Sequence, residues 1–163
     1  MYRILALVLF FLMSTVLNAQ FMIEDVDDTE FLSENGRSLF SAKMNFPMEH
    51  FRISGCETVS YAKPVNGEDA FKQELFSNML NFVDKDSYAL SGTFYFLFEI
   101  NPQGDISNFE LKPNVTNGNM FYEDMKFVIK RLKTKWYPAN CGGAPIFSKI
   151  RMKINFRTEV FDL

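Results

Sequence analysis

The sequence predicts an α+β domain in which two helices cover one face of a three-stranded antiparallel sheet, in the order helix, strand, strand, helix, strand. Three observations carry this. Apolar residues recur at helical spacing from Phe71 to Phe82 and again from Phe121 to Leu132. Apolar and polar residues alternate from Phe94 to Ile100 and from Ile146 to Phe156. After the first alternating stretch, Asn101-Pro102-Gln103-Gly104-Asp105 has the composition of a tight reversal.

The chain opens with Arg3 before an apolar run from Ile4 to Met13, which closes through Ser14-Thr15-Val16 into Leu17-Asn18-Ala19. That is the layout of a secretory signal peptide at 1–19, with cleavage expected after Ala19. The uninterrupted run is about half of the roughly 20 residues that a spanning helix needs. A retained leader acting as a membrane anchor is the alternative.

Residues 20–59 read as an acidic arm holding one short strand. Glu24, Asp25, Asp27, Asp28, Glu30 and Glu34 crowd its start, and short apolar pieces follow at Phe46-Pro47-Met48 and Phe51-Arg52-Ile53. Basic residues gather instead near the C-terminus, at Lys126, Lys130, Arg131, Lys133, Lys135, Lys149, Arg151 and Lys153. The formal charge of −3, or −4 without Arg3, excludes bulk attraction to nucleic acid.

Cys56 and Cys141 lie 85 residues apart, so they form no CxxC redox motif. In an oxidising compartment they can pair, and a bridge closing so long a loop would add about 4 kcal/mol if unstrained. Two separate buried thiols are the other reading.

The domain itself is placed at 60–158, with a tail at 159–163. Asn66 is expected to cap the first helix, Glu68 and Asp69 to sit at its positive end, and Phe71, Leu75, Met79 and Phe82 to face the core until about Asp84. Phe94, Phe96, Phe98 and Ile100 then share one face of the first strand, and Gly104 supplies the positive φ of the turn. The second strand, Ile106 to Leu111, breaks strict alternation, which predicts a bulge. In the second helix Phe121, Met125, Val128, Ile129 and Leu132 form the stripe, with Glu123 and Asp124 at its start and Lys130, Arg131 and Lys133 at its end. The last strand buries Ile146, Ser148, Ile150, Met152, Ile154 and Phe156 and wets Lys149, Arg151, Lys153, Asn155 and Arg157. It is expected beside the first strand, with its own outer edge unpaired.

These residues resemble the C-terminal domain of TonB, the periplasmic energy transducer, over about 60–158. The resemblance rests on Gly67 to Phe71, Gly92 with the Phe94 to Ile100 strand, and Asn101-Pro102-Gln103-Gly104-Asp105-Ile106. It continues through Trp136-Tyr137-Pro138-Ala139 and Gly143-Ala144-Pro145-Ile146 into the last strand. It implies a periplasmic protein that takes an extended peptide of an outer-membrane receptor, or of another envelope protein, as an added strand. The implied surface is the edge of the last strand: Ile146, Ser148, Lys149, Ile150, Arg151, Met152, Lys153, Ile154 and Asn155. Contact with the membrane would be indirect. Only Pro47 lies between leader and domain, where transducers of the family have a long proline-rich spacer, and Asp86-Ser87-Tyr88-Ala89 stands where many members have Tyr-Pro.

No catalytic constellation emerges from the sequence, so no enzyme activity, cofactor or metal is expected. His50 is the one histidine and reads as a surface residue. Glu123 and Asp124 are adjacent on a helix and point apart. Asn101 to Asp105 lacks the alternating acids of a calcium loop. Asn114-Val115-Thr116 is a glycosylation sequon by pattern alone, and Trp136 reads as a core or rim aromatic. The Lys149, Arg151, Lys153 row reads as a charged edge that discourages aggregation and is able to select an acidic peptide. Three functions follow: a peptide-binding module, an anchored energy transducer that keeps its leader, and a secreted self-associating protein, for example a homodimer, that uses the same edge.

Overall fold

The phenylalanines of the first long strand organise the core. Phe94, Phe96 and Phe98 are all buried on one face, where the rings of Phe71, Phe109, Phe121 and Phe156 meet them edge-on or tilted. Aromatic pairs in such geometry add to the burial of their area. The computed structural model describes residues 30–34, 38–84, 87–113 and 118–160. The expected leader, the acids Glu24 to Asp28, the sequon at Asn114 and residues 161–163 of the tail lie outside the described residues.

Among these residues the order is β1 (Glu30–Glu34), β2 (Ser38–Lys43), β3 (Glu49–His50), β4 (Val59–Ser60), β5 (Lys63–Pro64) and α1 (Glu68–Phe82). There follow β6 (Ser91–Ile100), β7 (Ile106–Lys112), α2 (Asn119–Lys130), β8 (Trp136–Tyr137), β9 (Ala139–Cys141), β10 (Ala144–Ile146) and β11 (Ser148–Val160). The fold is α+β, with two helices and antiparallel sheets, as expected. The single three-stranded sheet is not what forms. A six-stranded sheet runs β1-β2-β11-β6-β7, with β3 also on β11, beside a three-stranded sheet β10-β9-β4 and a two-stranded pair β5-β8.

The extra strands come from the segment read as an arm. Phe40, Ala42, Met44 and Met48 are buried in the same core as β6 and both helices. They recur at a strand's period of two, with Ser41, Lys43, Asn45 and Pro47 between, so the strand was signalled in the sequence; β2 and β3 are separated by a bulged stretch. Six residue steps from Lys43 to Glu49 face four from Asn155 to Arg151. Helix α1 holds that bulge: buried Lys72 donates to the Phe46 carbonyl at 3.1 Å, and Glu68 accepts from the Met48 amide at 3.3 Å.

β6 pairs with β11 from Ser91↔Arg157 to Ile100↔Ser148, so the last strand lies beside the first as expected. The bulge expected in the second strand is at Ser107, the residue skipped between Glu99↔Asn108 and Ile100↔Ile106. In the turn, Asn101 Oδ1 accepts from the amides of Gln103 and Asp105, while Gly104 takes φ 80°.

Helix details differ. Gly67, with φ 88°, occupies the N-cap of α1, and no side chain caps it, so Asn66 does not play that part. The first turn of α2 holds no acid. Glu123 instead pairs with Lys126, and Asp124 accepts from the Tyr88 hydroxyl at 2.7 Å. Phe82 is exposed, sharing the Arg131 guanidinium with Phe127.

Candidate functional site

The outer edge of β11 is occupied by the chain itself. β2 pairs with Asn155 to Val160 and β3 with Ile150 and Arg151, and the Phe51 amide donates to the Lys149 carbonyl at 3.1 Å. This corrects the expectation of a free last-strand edge. The covering strand has Phe40, Ala42, Met44 and Met48 in the core, so removing it would expose apolar side chains worth roughly 1.5–3 kcal/mol for each large one.

The named residues of that edge have other roles. Ile150, Met152 and Ile154 are fully buried beneath the helices, and Ser148 is buried with them. Ile146 belongs to β10, where it pairs with Ala139. Lys149, Arg151, Lys153 and Asn155 stand on the open face of the sheet rather than at its edge. Lys149 lies 3.6 Å from Glu99, and Arg151 is bound by Glu49 and stacks 5.1 Å from the Tyr95 ring centroid. Lys153 sits 4.0 Å over Phe46, and Asn155 accepts from the Thr93 hydroxyl at 2.8 Å.

Among the described residues the six-stranded sheet ends in two outer strands, β1 and β7, and cavities line the β7 edge. α2 lies alongside it. Between them runs a groove made of two cavities that share Tyr122. One, of about 300 Å³, is lined by Ile106, Ser107, Asn108, Phe109, Lys126, Ile129 and Lys130 as well as Tyr122. The other, of about 270 Å³, adds Glu110, Leu111, Lys112 and Asn119. Tyr122 fixes the helix to the strand, since its hydroxyl donates to the Phe109 carbonyl at 3.1 Å and its ring stacks on Phe109 at 6.0 Å. The groove therefore offers strand backbone on one side, helix side chains on the other and an apolar floor, the layout into which an extended peptide adds as a strand.

Cys56 and Cys141 are bonded, with Cα atoms 5.7 Å apart, and tie the segment before β4 to β9. His50 is half-buried rather than on the surface: its ring stacks on Tyr61 at 4.8 Å, and its Nδ1 is buried without a hydrogen-bond partner. Burial lowers its pKa below 6.5, partly offset by the charge of Glu68. Trp136 is a core residue, edge-on to Phe71 at 5.1 Å. No group of three or more His, Cys, Asp or Glu side chains among the described residues is placed to hold a metal ion, and none of their helices is long and apolar enough to cross a membrane.

No family model, no curated protein and no solved structure matches this chain.

Proposed function

We propose that this chain is a non-catalytic, exported interaction module of the cell envelope. It binds an extended peptide of an outer-membrane receptor or another envelope protein by strand addition, as its resemblance to the TonB C-terminal domain implies. The receiving edge is β7, not the last strand. One observation carries the reading: the outer edge of β7, without a strand partner among the described residues, lies beside a lined groove under α2. Backbone amides and carbonyls along such an edge provide affinity for any extended chain, and the flanking side chains provide selectivity. The order α1-β6-β7-α2-β11, with β11 beside β6, supports the resemblance at the level of topology. The β11 edge is the weaker candidate, because occupying it requires displacing β2 and β3 from the core.

The test places a photo-crosslinking residue at Asn108, and separately at Arg151, in the native host, with captured peptides identified by mass spectrometry. Capture through position 108 of an extended segment of an envelope protein is expected. Capture through position 151 alone, or through neither, would remove the assignment.

A further inference from the structure

The chemistry of the β7–α2 groove narrows its occupant, an argument that rests on β7 being the receptive edge. Its wall is basic. The described residues place no carboxylate within ion-pair distance of Lys130, and Lys126 meets Glu123 of its own helix at 3.0 Å. Lys112 lies 3.9 Å from Glu110, with both exposed. Exposed pairs of this kind are worth at most about 1 kcal/mol, so both lysines are available to a better-placed acid. The floor is apolar, from Ile106, Phe109 and Ile129. A fitting occupant is thus an extended strand carrying carboxylates among apolar side chains.

The chain contains such a segment in Phe21-Met22-Ile23-Glu24-Asp25-Val26-Asp27-Asp28, which ends just before β1. Reach decides whose copy it fills. β1 and β7 are the opposite ends of the strand order β1-β2-β11-β6-β7, four spacings of about 4.8 Å, or roughly 19 Å. With the leader removed after Ala19 as expected, residues 20–29, fully extended, span roughly 33 Å and must reach one spacing beyond β7, roughly 24 Å in all, so in the same molecule only about three residues would remain to pair with it. A neighbouring molecule has no such detour and can pair along all seven residues of β7.

We propose that residues 21–29 of a second copy lie along β7, with their acids against Lys126 and Lys130, so that the groove is self-filled until a partner peptide displaces them. Two copies exchanging these segments reciprocally form a closed pair.

The experiment measures mass by light scattering over a concentration series on the protein purified from its host, at low and high salt. It is repeated on the E24Q/D25N/D27N/D28N and K126E/K130E variants. A labelled synthetic peptide copying residues 21–30 serves as the direct probe. The parent mass should rise with concentration and fall with salt, since exposed charges are screened within about 10 Å at 0.1 M. Both variants should remain single chains, and K126E/K130E should weaken the peptide by roughly tenfold or more. A parent mass that never rises, or an equal rise in the neutralised variant, overturns the proposal. If the mass stays at one chain while position 108 still captures a foreign segment, self-filling fails and the strand-addition reading stands. If neither occurs, both fail.

Discussion

Gly104 shows how tightly single positions are fixed. A Cβ built there would stand 2.1 Å from the Trp136 carbonyl oxygen, and the residue has φ 80°. Backbone sits on the other side of that contact, because the Trp136 amide donates to the Gly104 carbonyl at 3.0 Å. Gly104→Ala should therefore lower unfolding free energy by about 2–4 kcal/mol in urea titration, whereas a strain-free exchange of glycine for alanine would raise it. His50 gives a pH prediction. Its pKa is lowered in the folded chain by burial, so the unfolded chain binds more protons below the ordinary value of 6.5. Stability should fall as pH drops through about 6.5, and His50→Gln should flatten that slope in thermal unfolding at a series of pH values; an unchanged slope would assign it to other groups. Tyr88 is held protonated, its pKa pushed up to about 12 by burial and by the hydrogen bond to Asp124. The turn glycine was legible in the sequence, because Asn-Pro-Gln-Gly-Asp spells its geometry. The half-buried state of His50 was not, since it depends on Tyr61 stacking from across a loop.

At the scale of elements, period decided what could be read. α1, α2, β6 and β11 carry unbroken stripes, and even the β7 bulge left its mark in the spacing of Ile106 and Phe109. β2 carries only a short stripe, Phe40 and Ala42 running on to Met44, set among acidic and irregular sequence, and Ser41 within it is buried as well. β3, β4, β5 and β8 are two residues each, too short to have a period, and exist through partners distant in sequence. The arm was consequently read as a linker although it completes the core. Phe40→Ala should cost about 3–5 kcal/mol in chemical unfolding, as for a large core side chain; a loss below about 1 kcal/mol would show that β2 is only loosely attached. The candidate site was half legible. Placing the last strand beside the first leaves two edges, and only contacts made by β2 and β3 show which one is covered.

For the whole molecule, the disulfide and the sheet order set the frame. Cys56–Cys141 closes a loop of 85 residues and joins the arm to the last third of the chain. Cys56→Ser with Cys141→Ser should reduce stability by about 2–5 kcal/mol, and a non-reducing gel of the parent should show a mobility shift on adding thiol. Its pairing was left open by the sequence, because spacing alone cannot bring two cysteines together. Covering β11 with the chain's own strands moves that side's edge out to β1, and β7 beside α2 is the edge proposed as receptive. Residue-resolved amide exchange by NMR tests this directly. In the E24Q/D25N/D27N/D28N variant, whose groove no second copy fills, amides of β11 that point toward β2 and β3 should be strongly protected, whereas amides of β7 that point away from β6 should exchange orders of magnitude faster. Fast exchange along the outer side of β11 with protection along β7 would contradict it and return the receptive edge to the last strand.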